Sequence, residues 1–126
     1  MPRSLIIGAT GGIGRAVTAT LAARGDMVIP YGRNAAQGVV LPDDTRIDYL
    51  IFLQRDRSSE DQWQHEFNIS LDLTKRIVEQ MVSKHFGTGN DNAIVIVSAL
   101  DARLVHEQVP IGYHMAKAAL EQMARW

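Results

Sequence analysis

The sequence predicts an α/β domain whose mostly parallel sheet is covered by helices on both faces. Short apolar runs alternate along the chain with longer segments of helical periodicity. The runs are nearly continuous in apolar character, which is typical of parallel strands that helices cover on both sides. With 126 residues, the chain corresponds to a single domain, residues 1–126.

Four strands and three helices are expected, and they alternate along the chain. Each predicted strand is an apolar run bounded by glycine or polar residues, and these runs are Leu5–Ile7, Met27–Pro30, Tyr49–Leu53 and Ala93–Val97. Each predicted helix has apolar residues at intervals of three or four, and the helices cover about 13–22, 62–85 and 113–126. The run Ala93–Val97 is the richest in β-formers, so we expect it to be a central strand.

The segment from Asn34 to Asp48 is too short for a covered crossover and a further strand. A parallel crossover requires a dozen or more residues. If Val39–Pro42 were the third strand, the chain would have to pass over two strands and return to the other end of the sheet. This is a span of roughly 20 Å, given the ~4.8 Å spacing of strands and the ~3.3 Å rise per residue. The five steps from Asp43 to Asp48 reach about 17 Å at full extension. A third strand is therefore expected to be missing or irregular, which makes the predicted doubly wound sheet incomplete.

The composition excludes several classes of function. Thirteen basic and fourteen acidic residues give a formal charge of −1, so no general field attracts the chain to nucleic acid or to an anionic membrane. The absence of cysteine excludes disulfides and thiolate metal sites and agrees with a cytoplasmic location. The four histidines lack the spacing of metal ligands, so no metal site is predicted. No apolar run approaches the ~20 residues that span a bilayer.

A glycine-rich loop connects the first predicted strand to the first predicted helix. Its glycines would allow a tight turn, a close approach of the backbone to a phosphate, and close packing of helix on strand. The helix N-terminus would add free N–H groups and the positive end of the helix dipole. This position predicts a Rossmann-like dinucleotide-binding loop, and the alternative is a tight turn without a ligand. The candidate cofactor contacts are Gly8, Thr10, Gly11, Gly12, Ile13 and Gly14.

Arg33 follows the second predicted strand closely. In dinucleotide folds this region meets the adenosine ribose, where an acidic residue binds the 2′-hydroxyl and an arginine accommodates a 2′-phosphate. No Asp or Glu lies between Met27 and Asn34. Arg33 therefore predicts NADP rather than NAD, and a solvated arginine in a turn is the alternative.

Tyr113 and Lys117 are four residues apart and share one face of the last predicted helix. An ammonium beside a phenol favours the phenolate and lowers the pKa of the tyrosine, which would make Tyr113 a usable general acid or base. Ser98 follows the run Ala93–Val97, at the sheet edge where ligands bind in such folds. Asn68 is a poor helix former inside a predicted helix. A surface helix with a solvated Tyr and Lys is the alternative.

The ordered set formed by the glycine loop, Asn68, Ser98 and Tyr113-x-x-x-Lys117 resembles the short-chain dehydrogenase/reductases. The resemblance implies that Tyr113 protonates or deprotonates a substrate oxygen, which Ser98 orients. It implies that Lys117 binds the nicotinamide ribose and tunes Tyr113, and that Asn68 supports a water in a proton relay. It further implies an NADP(H)-dependent oxidoreductase that acts on a carbonyl or an alcohol. The alternative is a non-catalytic nucleotide- or partner-binding module derived from that family.

The chain departs from the family's pattern in three places. Phe52-Leu53-Gln54-Arg55 replaces the family's Asn-Asn-Ala-Gly loop, and the third strand has no room. The family's last strands would follow Trp126, so the chain is expected to be shortened in the middle and to lack the C-terminal third, either as a truncated piece or as a reduced member completed by another chain. The family's helices at about 62–85 and 113–126 commonly pair across a two-fold axis. A homo-oligomer is therefore expected, with interface candidates Leu120, Met123 and Trp126, and the alternative is that this stripe of the last helix packs on the chain's own sheet.

Overall fold

The computed structural model describes residues 1–55, 62–87, 89 and 91–126. Four parallel strands form one sheet, namely β1 (Arg3–Ile7), β2 (Met27–Tyr31), β3 (Tyr49–Phe52) and β4 (Ala93–Ile96). The α-helices are α1 (Gly12–Ala23), α2 (Gln62–Phe67), α3 (Leu73–Lys84) and α4 (Ile111–Arg125). The fold class is therefore the predicted α/β class with a parallel sheet.

The strand order is β2-β1-β3-β4. Ile7, at the end of β1, is in register with Tyr31 of β2 and Phe52 of β3, so these three strands end at one edge of the sheet. Between β2 and β3, a segment described in full, the chain forms only a 3₁₀ turn at Arg33–Gln37. The expectation of a missing third strand is confirmed, and Val39 enters the core without pairing as a strand.

Alternate residues of β1 enter two separate cores, because successive side chains of a strand point to opposite faces. One core contains the fully buried Leu5 and Ile7 and extends to α3 through Leu73, Ile77 and Met81. The other contains Ile6 and Ile51 and extends to α1 through Val17 and Leu21. Both faces of the central strands are therefore covered, which explains their continuous apolar character.

Two predictions about secondary structure were wrong in detail. Within the described sheet, β4 is an edge strand rather than a central one, and the side chains of Ile94 and Val95 are 40% and 46% exposed. β-propensity indicates a strand but does not indicate how many neighbours it has. The predicted helix over 62–85 is interrupted by a π-helical turn at Asn68–Asp72, which separates α2 from α3.

The predicted interface stripe on the last helix is also only partly at the surface. Leu120 is 4% exposed and belongs to the interior of the chain, so its selection as an interface residue was wrong. Met123 is half-buried and Trp126 is fully exposed. Helical spacing marks the apolar side of α4, but part of that side is used within the domain, where α4 packs against α2.

Two glycines of the first loop allow backbone approaches that no other residue would permit. Gly8 has a φ of +85°, and a Cβ at this position would lie 2.5 Å from the backbone nitrogen of Gln54. At Gly14, a Cβ would lie 2.1 Å from the carbonyl oxygen of Gly8. The start of α1 is therefore packed directly on the end of β1. Gly12 differs, because a Cβ there would have no atom within 4 Å.

Gly14→Ala is expected to lower the free energy of unfolding by about 1–3 kcal/mol or more, because the added methyl group overlaps backbone that cannot move aside. The matched control is Gly12→Ala, whose methyl group enters open space and which should change stability by less than about 1 kcal/mol. Urea unfolding of the two variants measures the difference. Equal stability of both variants would contradict the packing described here.

Candidate active site

A cleft of about 590 Å³ lies where β1, β2 and β3 end. The carboxyl edge of a parallel sheet is the usual place for a ligand in folds of this class. The loops after the three strands line the cleft together, and the lining residues with polar side chains or open backbone are Gly8, Thr10, Gly11, Gly32, Arg33, Gln54 and Arg55. The predicted cofactor contacts Gly8, Thr10, Gly11 and Arg33 thus lie along one cavity.

The remaining predicted cofactor contacts, Gly12, Ile13 and Gly14, form the first turn of α1 beside this cleft. The first N–H groups of a helix have no acceptor within the helix, and no side chain caps α1, because Gly11 occupies the N-cap position. No acidic residue lies in this turn. The open space next to Gly12 leaves these donors accessible. The arrangement suits a phosphate group, which would meet N–H donors and the positive end of the helix dipole.

Tyr113 and Lys117 lie on one face of α4, as their spacing predicts. The Lys117 ammonium nitrogen is 5.6 Å from the centroid of the Tyr113 ring. Lys117 is buried, and its Nζ donates a hydrogen bond of 2.9 Å to the backbone oxygen of Val97. This bond fixes the amine at the end of β4, and two of its three N–H donors remain for other partners.

The pKa of Tyr113 was expected to be lowered, but its net shift is upward. Burial raises the pKa of Tyr113, and the positive charge of Arg55 opposes this by lowering it. The negative charges of Asp101 and Glu66 raise the pKa of Tyr113 further. Burial likewise lowers the pKa of Lys117, with Glu66 acting in the opposite direction. Tyr113 is therefore a neutral phenol at neutral pH, which is the acid form.

Arg55 is a site residue that the sequence analysis missed. Its guanidinium carbon lies 4.5 Å from the centroid of the Tyr113 ring, and its side chain also lines the cleft. Arg55 thus connects the cleft to the tyrosine. The sequence indicates the place of Arg55 at the ligand-binding edge, because Gln54-Arg55 follows β3 where the chain departs from the family's loop, but it does not indicate the contact with Tyr113.

Ser98 is held by a carboxylate on α4. Its hydroxyl donates a hydrogen bond of 2.9 Å to Oε1 of Glu121, and Arg103 and Arg125 form ion pairs with Oε2 of the same carboxylate. The Ser98 hydrogen bond is the largest effect that lowers the pKa of Glu121. Glu121 is two helical turns from Tyr113, so the structure attaches Ser98 to a different part of α4 from the part that bears the tyrosine.

Asn68 is exposed at the beginning of the π-helical turn, where its Oδ1 accepts a hydrogen bond of 3.0 Å from Gln64. No hydrogen bond within the described part of the chain joins Asn68 to Tyr113 or Lys117.

Glu66 is a second site residue that the sequence analysis missed. It is buried and accepts a hydrogen bond of 2.7 Å from Ser70. Its negative charge raises the pKa of both Tyr113 and Lys117. No pattern in the sequence distinguishes Glu66 from a surface acid.

No protein-family model matches this chain, and no curated protein matches it. Among solved structures, it is similar to a double mutant of a Serratia marcescens short-chain dehydrogenase/reductase, with a TM-score of 0.78, 14% identity, and coverage of 97% of this chain and 67% of that one. The similarity shows a shared fold.

Two further similar structures contain NAD. One is a short-chain dehydrogenase/reductase superfamily protein from Agrobacterium tumefaciens with bound NAD, with a TM-score of 0.69, 16% identity, and coverage of 98% of this chain and 44% of that one. The other is MoeE5 in complex with UDP-glucose and NAD, with a TM-score of 0.76, 20% identity, and coverage of 97% and 48%. This chain has the fold of the short-chain dehydrogenase/reductases and spans less than half the length of these two proteins.

None of the helices that the structure describes combines the length and the apolar character needed to cross a membrane.

Replacing Arg55 by alanine is expected to raise the pKa of Tyr113 further, because a positive charge over the ring favours the phenolate. Proton release from the phenol should then occur at higher pH. The pH at which the phenol loses its proton is measured by phenolate absorbance. Each variant is compared with the same variant carrying Tyr113→Phe, and the difference between the two titrations gives the contribution of Tyr113 alone. Arg55→Lys is the control, because it keeps the charge and most of the effect. An unchanged or lowered pKa in Arg55→Ala would contradict the geometry.

Proposed function

We propose that this chain is an NADP(H)-dependent oxidoreductase of the short-chain dehydrogenase/reductase type, which transfers hydride to or from a carbonyl or alcohol with Tyr113 as general acid or base. The observation that carries the proposal is the contact between the ring of Tyr113, which also lies beside Lys117, and Arg55, which lines the cleft that begins at the glycine loop. The shared fold supports this function. The NAD in two similar structures supports a nicotinamide cofactor.

The residues along the cleft fit such a cofactor. The open donors at the start of α1 and the space beside Gly12 suit a pyrophosphate. Arg33 is exposed at the same cleft, where it would meet a 2′-phosphate on the adenosine ribose. No acidic residue follows β2 before Asn34, so nothing there selects a free 2′-hydroxyl. These features support NADP over NAD.

The nicotinamide of the bound cofactor would supply or accept the hydride, and the protein's own residues would handle the proton. Tyr113 is a neutral phenol, so its hydroxyl holds a proton that it could donate to a carbonyl oxygen, and burial, which raises its pKa, makes it a weaker acid. Tyr113 is thus set for reduction of a carbonyl, and the positive charge of Arg55 would ease loss of that proton.

Lys117 would act on both the cofactor and Tyr113. Its bond to the Val97 carbonyl holds the amine in place, and its remaining N–H donors could bind ribose hydroxyls, as the family resemblance implies. Glu66 favours the charged form of Lys117 and thereby limits the effect of burial on its pKa. A charged amine close to Tyr113 would stabilise the phenolate that forms after proton donation.

The alternative is a module that binds a nucleotide or a partner without catalysis. The observation that favours it is the hydrogen bond from Ser98 to Glu121, because a hydroxyl occupied in this way does not orient a substrate oxygen. The exposure of Asn68 agrees with it. Under this alternative the chain would bind NADPH, but no ketone or alcohol would be turned over. The roles of Ser98 and Asn68 stay predictions.

NADPH should bind more tightly than NADH, and Arg33→Ala should weaken NADPH binding by roughly tenfold to hundredfold through loss of a charged hydrogen bond. Binding of NADH should change little, because NADH has no 2′-phosphate. Fluorescence titration with both cofactors measures the affinities. Arg76→Ala is the matched control, since Arg76 is an exposed arginine of α3. Equal affinities in the unmodified chain would refute the NADP preference, and absence of binding would refute the nucleotide site.

Tyr113→Phe should lower turnover by about 10²- to 10⁴-fold, because it removes the group that donates the proton. Binding of NADPH and stability to urea should be preserved. The matched control is Tyr49→Phe, which removes a phenolic hydroxyl from β3. Cofactor oxidation with a panel of ketones measures turnover. A Tyr113→Phe variant of full activity would show that another group handles the proton.

Assembly and location stay predictions as well. The exposed apolar side chains of Ile94 and Val95 on the edge strand β4, and of Trp126 after α4, agree with a homo-oligomer, for which the family resemblance is the main support. The small-molecule substrate, which would be a carbonyl or an alcohol, and the cytoplasmic location rest on the resemblance and the composition.

A further inference from the structure

Arg55 contributes to the cleft and contacts Tyr113 at the same time. Its guanidinium carbon lies 4.5 Å from the centroid of the tyrosine ring, and its side chain forms part of the cleft wall. Since the phenolic oxygen is only one ring radius and one C–O bond from that centroid, the guanidinium carbon is close enough to the hydroxyl for one small molecule to reach both groups. A molecule that places a carbonyl oxygen against Tyr113 therefore meets Arg55 as well.

The contact with the ring leaves the guanidinium able to bind an anion. It is a cation–π contact, which uses none of the five N–H donors of the guanidinium as a hydrogen bond to the tyrosine oxygen. Two parallel N–H groups match the two oxygens of a carboxylate. Arg55 is exposed to solvent, so a ligand can reach these donors without a rearrangement of the core.

The position of Arg55 favours the substrate over the cofactor phosphates as the source of the anion. The phosphate-binding features lie after β1 and β2, at the start of α1 and at Arg33. Arg55 follows β3, which is the neighbour of β1 and two strands from β2, so it lies roughly 10 Å across the sheet from the strand that precedes Arg33. Its guanidinium contacts the ring of Tyr113, so it lies beside the residue at which the proposed reaction would occur.

We propose that Arg55 binds the carboxylate of a 2-oxo or 3-oxo acid and makes this class the preferred substrate; the inference rests on the proposed oxidoreductase function. In these acids the carboxylate is one or two carbon atoms from the carbonyl, which matches the short separation between Arg55 and the Tyr113 hydroxyl. In the reaction, the carbonyl carbon gains a hydride from NADPH, the C=O π bond breaks, and Tyr113 gives its proton to the oxygen. The products are a hydroxy acid and NADP⁺.

The test compares 2-oxobutanoate and 3-oxobutanoate with butanone, a neutral ketone with the same carbon skeleton. The quantity measured is the ratio of kcat/KM for the acid to kcat/KM for butanone, in which any effect through the pKa of Tyr113 cancels. The unmodified chain should prefer one of the acids. Arg55→Ala should lower that ratio by about tenfold to hundredfold, the value of a charged hydrogen bond. Arg55→Lys should lower the ratio less than Arg55→Ala does, and Arg76→Ala should leave the ratio at the value of the unmodified chain.

A binding titration provides a readout that does not depend on turnover. Addition of either acid should shift the NMR ring signals of Tyr113 to saturation, and Tyr113→Phe identifies those signals. Butanone should not produce this shift, and neither should the acids in Arg55→Ala. A saturable shift that persists in Arg55→Ala would overturn the proposal, and so would an unchanged kcat/KM ratio.

Failure of the proposal is distinguishable from failure of the proposed function. If Arg55→Ala weakens NADPH binding and leaves the ratio unchanged, Arg55 serves the cofactor and the substrate assignment is wrong. If the chain binds no NADPH and reduces no ketone, the proposed oxidoreductase function is wrong. The NMR titration still decides in that case whether Arg55 and Tyr113 bind an acid.

Discussion

The close backbone contact between the loops that follow β1, β2 and β3 is the constraint on which the candidate site depends. Gly8, after β1, approaches the backbone of Gln54 after β3, and Gly32, after β2, approaches the side chain of Thr10. Any side chain at Gly8 would separate the first pair. Because these loops are held together, Arg33 and Arg55 lie along one cleft, although 21 positions separate them in the sequence. The parallel register of the strands places this contact at the carboxyl edge.

Charge and burial act against each other at the tyrosine–lysine pair. Burial favours the neutral form of both residues, and it is the largest effect on each pKa. Arg55 and Glu66 carry opposite charges near both side chains, so each partly cancels the influence of the other. A neutral phenol beside a partly buried amine is suited to giving a proton rather than taking one. The chain thus uses an arginine after β3 to moderate a tyrosine that burial alone would make a weaker acid.

The sequence predicted the strands, the glycine loop and the shared face of Tyr113 and Lys117 because each depends on local periodicity or spacing. The edge position of β4 was not predictable in this way, since the number of neighbouring strands is a property of the whole sheet. Leu120 was misassigned for a similar reason: helical spacing shows that a face is apolar, but not whether it packs inside the domain. Arg55 and Glu66 reach Tyr113 only through packing between distant elements, and no spacing rule connects them.

The hydrogen bond between Ser98 and Glu121 has a consequence for how the substrate oxygen is held. The Glu121 carboxylate accepts this hydrogen bond and forms ion pairs with two arginines. These contacts hold the carboxylate in place and stabilise its hydrogen bond with Ser98. Lys117 Nζ is committed in part to the neighbouring carbonyl of Val97. The end of β4 is therefore attached to α4 at two successive residues, one turn of the helix apart. These bonds position the helix that bears Tyr113, whose ring contacts Arg55 of the cleft.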